Sequence, residues 1–398
     1  MAIRLPVYLL VFLISSCQGD TSRNLSAGVD DSAKEIFLEV GNPEEIFDLT
    51  KYVSQVQEIS LSGEYANKFG VINFFHVVEG EGVILVDAGL AKVLMIDFSG
   101  DIVWEIEADY DEYNIHGSIK YCSFNSDEKV FSVLDGREIF QYSFDGVPLG
   151  KLGQPVFGFA NAFSYPVGDS DGMLYSNQGF PNDFLEDSEH HNKQIMLYDN
   201  EEDHILASFV ECYPLKPEFR FIKGYLEFTT LDKELLYHSP IREECYRVGE
   251  FTVKQDFFLR FLGEESTNRI TEDQYIESNL GYTLNNNIAF GETIAASDER
   301  IFVIYRKSGN TYNALFDRRS ENWMFNNQFF ILNKSLVKAA NLYDNNYLMT
   351  IESAYLYDHS KVAYADGEKV DSAWKGERDR IVREEIDAGP RVIRLWEL

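Results

Sequence analysis

The sequence predicts an all-β chain folded as a six-bladed β-propeller of four-stranded antiparallel blades. Three observations predict it. Short apolar runs closed by Gly, Asp or Ser follow one another along most of the chain, as buried antiparallel strands do. Two landmarks recur: Val83-Ile84-Leu85-Val86-Asp87 is echoed by Phe131-Ser132-Val133-Leu134-Asp135, 48 residues on, and Ile96-Asp97-Phe98-Ser99-Gly100 by Tyr142-Ser143-Phe144-Asp145-Gly146, 46 residues on. Periods in the forties are those of propeller blades. Third, residues 56–61 and 392–396 are apolar strands near opposite ends of the chain, suited to complete one blade together and so remove an exposed edge. A two-sheet sandwich leaves the matched offsets unexplained. Seven blades is the alternative count at this period.

Residues 1–16 read as an address. Arg4 gives a minimal charged start, and residues 5–14 are an apolar run. That run is too short for a bilayer span, which takes about 20 residues, and suits a secretory signal peptide. Ile14-Ser15-Ser16-Cys17 resembles a bacterial lipobox, in which the cysteine becomes the lipidated N-terminus. The alternative is an ordinary signal peptide cut nearby. At roughly 0.8 kcal/mol per buried CH₂, a diacylglyceryl group would hold the membrane by on the order of 20 kcal/mol. Gln18-Gly19-Asp20 resembles the export signal of surface lipoproteins in Bacteroides-type Gram-negative bacteria, against a periplasmic-face alternative. Residues 17–43 are expected to be lipid anchor and flexible tether, being small and polar through residue 34. The propeller domain is expected over 44–398.

Within that order, 35–40 reads as a short strand, 43–49 as a turn or helical start, and 53–61 as a segment ending in a strand. Runs at 72–79, 82–86, 93–98 and 102–107 make the first blade. Ser99-Gly100 is its two-residue turn, because Gly accepts positive φ without steric cost. The echoes give the second blade. The third is looser, with 173–177 and 194–199 separated by an acidic loop at 184–192. Runs at 225–230, 235–238, 244–251 and 257–261 form the fourth. Residues 263–281 interrupt it, with a helix start at Thr271. The fifth takes 288–297, 301–307, 313–317 and 323–325, and the sixth 329–332, 347–351 and 392–396 with 56–61. Residues 372–386 read as a surface helix with a thin apolar stripe.

Composition bounds the partners. A net charge of −31 repels phosphate backbones, so nucleic acid is excluded as a partner. Beyond Cys17, three cysteines remain: Cys122, Cys212 and Cys245. An odd number with gaps of 90 and 33 residues fits no metal-ligand spacing and dictates no disulfide. Buried thiols are expected at Cys122 and Cys212.

The pattern of residues 44–398 resembles the six-bladed β-propeller lipoproteins of Bacteroides-type bacteria. The resemblance rests on residues 46–61, on Asp87 and Phe98-Ser99-Gly100, on Phe290-Gly291-Glu292-Thr293 before 301–305, and on the ending Glu385-Ile386-Asp387-Ala388-Gly389-Pro390-Arg391-Val392-Ile393. It implies a secreted, lipid-anchored propeller of undefined biochemical role. That family usually has a Gly-Pro-Gly-Glu-Tyr-like loop between its first two blades. Here Asp109-Tyr110-Asp111-Glu112-Tyr113 keeps only the Glu-Tyr end.

No phosphate-binding glycine loop, serine elbow or zinc-helix motif is present. The sequence therefore assigns no catalytic residue, cofactor or metal. Asp183, Glu186, Asp187, Glu189, His190 and His191 form a tight cluster that reads as a solvated loop, and Gly168-Asp169-Ser170-Asp171-Gly172 reads as a strand-joining turn lacking a calcium loop's later ligands. Aromatic residues make up 14% of the chain, and most are expected between blades. Tyr110, Glu112, Tyr113 and His116, on the first inter-blade loop, are the candidate ligand contacts, since flat rings stack on sugars at low entropic cost. Asp31-Ser32-Ala33 resembles an O-glycosylation acceptor of the same bacterial group, which makes Ser32 a candidate modification site. The expected role is a non-catalytic binding or scaffold module on the outer membrane, cell-surface exposed, held by lipid at Cys17, with a glycan or outer-membrane protein as partner. The alternative is a propeller hydrolase or lyase acting on polysaccharide at the ring centre.

Overall fold

The computed structural model describes residues 27–28, 33–41, 46–49, 52–61, 72–87, 90–107, 119–135, 138–152, 161–167, 170–176, 181–200, 202–212, 228–231, 234–238, 244–249, 252–262, 289–307, 310–332, 335–338, 342–344, 347–353 and 391–397. Cys17, Ser32, the loop residues Tyr110, Glu112, Tyr113 and His116, and the two expected helices at 271–279 and 372–386 lie outside them.

Alternating and fully apolar runs give strands, and hairpins join them into blades. Blade one is Ile72–Val78, Gly82–Asp87, Lys92–Asp97 and Ile102–Glu107, in that order from axis to rim. Blade two is Ile119–Asn125, Val130–Asp135, Glu138–Ser143 and Pro148–Leu152; blade three is Asn161–Val167, Ser170–Ser176, Lys193–Asp199 and His204–Glu211. Blade four is Phe228–Leu231, Glu234–His238, Glu244–Gly249 and Thr252–Phe261; blade five is Ala289–Ala296, Arg300–Lys307, Asn310–Asp317 and Asn322–Asn327. Blade six takes Leu342–Asp344, Tyr347–Ser353 and Arg391–Glu397 from the far end of the chain and Gln55–Ser60 from the near end. The count is six, and the ring closes as the two end strands predict. First strands meet around the axis, as Ile119–Asn125 meets Asn161–Val167 and Leu342–Asp344 meets Ile72–Val78.

Three expectations need correcting. Phe329–Leu332 is not in blade six. It pairs in parallel with Ile46–Asp48 and antiparallel with Ser335–Lys338, in a small separate sheet. Residues 46–48 are thus a strand, not a helical start; the partner that decides this lies almost 300 residues away, beyond local propensity. The hairpin of blade one also has a three-residue loop, Phe98-Ser99-Gly100, because Asp97 N donates to Asp101 O at 3.0 Å. Gly100 (φ +94°) takes the left-handed position that such loops require.

That turn explains why the landmark repeats. In blade two, Ser143 N donates to Val147 O at 2.9 Å around Phe144-Asp145-Gly146, with Gly146 at φ +75°. Each glycine meets the outer strand of the preceding blade. A Cβ at Gly100 would stand 2.0 Å from Ser60 O in blade six, and one at Gly146 2.7 Å from the Trp104 indole in blade one. The preceding Phe plugs the same seam: Phe144 packs on His76 of blade one, with ring centroids 5.1 Å apart. Five apolar clusters fill the seams in turn, each joining adjacent blades. Full burial of each large side chain there stabilises by about 1.5–3 kcal/mol.

The near end of the chain straps blades four to six. Lys34–Leu38 runs parallel to the rim strand Thr252–Phe261 of blade four, with Ile36 and Leu38 buried, and so covers that edge. Across to blade five, Trp323 Nε1 donates to Phe37 O at 2.6 Å, Asn326 Nδ2 donates to Glu39 O, and Gly41 N donates to the Tyr305 hydroxyl at 2.8 Å. Residues 46–48 and 55–60 then complete the two sheets beyond.

Candidate functional site

The ring has two unlike ends. At one, the turn face, short hairpins join first to second and third to fourth strands. At the other, the loop face, each rim strand leads into the next blade's first strand. Residues 108–118, which hold the four candidate contacts, connect Glu107 at the rim of blade one to Ile119 at the axis of blade two, so both flanks of that segment lie at the loop face.

Three first strands carry extra residues at the same step near this face. In blade one, Ile72 pairs with Asp87 and Phe74 with Val86, leaving Asn73 over. In blade two, Ile119 pairs with Asp135 and Tyr121 with Leu134, leaving Lys120 over. In blade five, Phe290 pairs with Tyr305 and Thr293 with Ile304, leaving Gly291 and Glu292 over. Bulges bend a strand and re-aim side chains, and they concentrate at rims and sites. Nothing in the composition of Ile72-Asn73-Phe74 announces one, so sequence reasoning missed all three.

Directly beneath the bulges one aromatic side chain crosses between blades. Tyr121 is buried, packs edge-on against Phe74 at 5.5 Å, and donates its hydroxyl to Phe228 O at 2.9 Å. Phe228 belongs to blade four, so this side chain reaches from blade two past the inner edge of blade three. Asp87 and Asp135 end the second strands of blades one and two, both buried. Asp87 Oδ1 accepts from Leu90 N at 3.0 Å, capping the turn beyond. Burial, with the Asp135 carboxylate adding to it, pushes the Tyr142 hydroxyl up to about 12, keeping it a neutral donor.

The histidines and acids singled out in the sequence serve the frame where they are described. His76 stacks on Phe124 at 4.8 Å, and its Nε2 lies 3.2 Å from Ser126 Oγ. In the acidic loop, Asn182 caps the short 3₁₀ turn Asp183–Leu185. His191 Nδ1 meets Asn182 O at 2.8 Å, and His190 Nδ1 meets Ser208 Oγ at 2.9 Å. Among the described residues no group of three or more His, Cys, Asp or Glu is placed to hold a metal ion. His116 and His359 lie outside them. Buried Gln194 donates to Glu211 O at 2.7 Å and accepts from Tyr237 at 2.9 Å. Cys122 and Cys245 are buried and Cys212 is half-buried, with no disulfide among them.

A charged seam joins blades four and five at the turn face. Asp256 accepts from Arg318 at 2.6 and 3.2 Å and from Arg247 at 3.1 Å, while Arg247 also donates to Asp298 at 2.6 Å. Arg318 lies over the Phe257 ring at 5.1 Å. It stands where Phe144 stands in blade two, one residue past the strand end, and reaches back to the preceding blade in the same way. The acid at that strand end also recurs. Asp97 Oδ1 accepts from the backbone of Ser99 and Asp101, Asp317 Oδ1 from Arg319 and Ser320, and Asp199 Oδ1 from Glu202. The pairs Ile96-Asp97, Tyr198-Asp199 and Phe316-Asp317 are the signal that could have extended the repeat to blades three and five.

These features define the class of the molecule: a strapped, six-bladed propeller in which a buried tyrosine ties blade two to blade four. Solved structures share that fold. An exported protein of Bacteroides fragilis matches with a TM-score of 0.58 at 13% identity, over 92% of this chain and 98% of its own. A member of the DUF4221 family from Bacteroides vulgatus matches with a TM-score of 0.50 at 9% identity, over 86% of this chain and 96% of its own. No protein-family model matches the chain, and no curated protein does. Among the described residues no helix is long and apolar enough to cross a membrane.

Proposed function

We propose that this chain is an exported, lipid-anchored propeller that acts as a non-catalytic binding or scaffold module, taking a glycan or an outer-membrane protein at its loop face. The observation that carries the reading is Tyr121. It spans from blade two to blade four beneath the bulges, which supports a ligand that meets a face and not a deep channel. Export is supported by the apolar run before Cys17 and by the fold shared with an exported Bacteroides fragilis protein. The candidate contacts Tyr110, Glu112, Tyr113 and His116 belong to the segment whose two described flanks, Glu107 and Ile119, lie at this face.

The test has two arms. Full-length protein and its Cys17→Ala variant are compared for labelling by a fatty-acid analogue and for membrane retention; unchanged retention of the variant defeats the anchor. Purified protein is then incubated with mucin glycans and plant polysaccharides. Saturable retention of intact polymer, weakened about tenfold in Tyr110→Ala/Tyr113→Ala, supports binding, since each stacked ring contributes about 0.5–1.5 kcal/mol beyond its area. New reducing ends or unsaturated products would instead establish a hydrolase or lyase.

A further inference from the structure

We infer that the anchored molecule stands on one corner: the turn-face edge of blades four and five faces the bilayer, and the loop face of blade one points away from it. This rests on the lipid anchor proposed above. The strand polarity carries it. Thr252–Phe261 runs from the turn face to the loop face at the rim of blade four, and both near-end strands lie parallel to it, with Ala27 beside Val253 and Lys34 beside Phe257. The chain therefore enters the fold from the turn-face side of that rim. From Cys17 to Ala27 the chain reaches at most about 36 Å even when fully extended. Strands of this length make the ring about 30 Å thick, and four strands from axis to rim on each side make it about 40–50 Å across. The point where the described chain joins the ring, Ala27 beside Val253, is therefore a corner. The diagonally opposite corner is at the loop face of blade one.

Charge distribution supports the same orientation independently. At the turn face, blades one and two present Glu79, Glu81, Asp97, Asp101, Asp127 and Glu128 against Lys129 alone. At the corner where the chain enters, cations match the acids. Lys34 pairs with Glu321 at 2.6 Å, Arg319 pairs with Glu299, and Arg247 and Arg318 pair with Asp256 and Asp298. Among the described residues the named acids of this corner are paired with cations, unlike those of blades one and two, in a chain of net charge −31. An anionic lipid surface repels the turn face of blades one and two more strongly within a Debye length of about 8 Å.

The test uses the lipidated full chain in vesicles of phosphatidylethanolamine and phosphatidylglycerol carrying an acceptor-labelled lipid. Cys212→Ser leaves only the buried Cys122 and Cys245, and a donor dye is then placed by Ser320→Cys at the near corner or Leu90→Cys at the far one. Both positions are exposed. Energy transfer to the membrane at least twofold greater from position 320 than from position 90 is expected. Equal transfer, or the reverse order, in protein that carries lipid overturns the orientation and leaves the anchor standing. Absence of fatty-acid labelling at Cys17 overturns both.

Discussion

Gly146→Ala and Gly80→Ala form a matched pair that tests how the blades are held together. Both glycines sit at nearly the same left-handed angle, φ +75° and +74°. A side chain in that region costs about 1–2 kcal/mol, so both variants share that term. Their surroundings differ. Around Gly80 an added Cβ meets nothing within 4 Å, whereas at Gly146 it stands 2.7 Å from Trp104 Cδ2 and 2.9 Å from Cγ. Those atoms lie at the root of the indole, which cannot swing away cheaply. Its Nε1 donates to Phe144 O at 3.0 Å, and its ring stacks on Phe131 at 5.9 Å. Overpacking of this kind costs roughly 1–3 kcal/mol more. Urea unfolding should therefore place Gly80→Ala about 1–2 kcal/mol below the parent and Gly146→Ala about 2–5 kcal/mol below. The double variant Gly146→Ala/Trp104→Ala should lose less than the sum of its singles, since the clash is gone. Equal losses for the two glycine variants would refute the claim that the turn is a blade-to-blade contact.

Three further outcomes are expected. Leu38→Ala, at a fully buried position of the strap, should cost about 2–4 kcal/mol in the same assay; a loss within about 0.5 kcal/mol, as at an exposed site, would mean the strap does not hold the ring. Asp97 titrates below the ordinary carboxylate range, because hydrogen bonds from the Ser99 side chain and from the backbone of Asp101, Ser99 and Gly100 favour its charged form. Asp317 does so through Ser320 and Arg319. Their stabilisation is complete above the ordinary carboxylate value and fades as pH falls through the lower folded-state value. Urea midpoints from about pH 7 down to about pH 2 should thus fall less steeply in Asp97→Asn than in the parent. In native protein lacking Cys17, a maleimide should label Cys212 alone. Burial, then the nearby Asp256 and Glu244, holds the Cys245 thiol well above its usual value, so rapid native modification at Cys245 would contradict its placement.

The sequence was most legible where structure depends on residues a few positions apart. Gly100 and Gly146 stand out because a tight turn needs a left-handed residue at a fixed offset, and their spacing gave the blade period, though it left six and seven blades open and the turn read as two residues where it has three. Long-range pairing was legible only where it left an apolar run without a neighbour, as at residues 56–61 and 392–396. The parallel seat of Lys34–Leu38 on blade four and the pairing of Ile46–Asp48 with Phe329–Leu332 left no such mark. A bulge shifts register by one residue without changing composition, so Asn73 and Lys120 looked like ordinary strand positions. The candidate contacts at 110–116 came from residue type and resemblance alone, and they lie outside the described residues.

The two faces therefore differ in what their residues do. At the turn face the same devices recur from blade to blade: a capping Asp at the ends of third strands in blades one, three and five, a left-handed turn residue, and a side chain reaching back across the seam. Recurrence of that kind is what a ring needs to pack six similar sheets, and it makes those positions structural. At the loop face the blades depart from one another. Blades one, two and five carry bulges, while the first-to-second-strand pairings of blades three and four run without a shift. Turn devices shared by several blades below and unlike first strands above agree with the proposed recognition surface at the loop face. Substitutions at Asn73 and Lys120 should therefore change ligand retention more than urea stability, and substitutions at Gly100 and Gly146 the reverse. If Lys120→Ala instead lowered stability as much as Leu38→Ala while leaving retention intact, the bulges would belong to the frame, and the recognition surface would have to lie elsewhere on the ring.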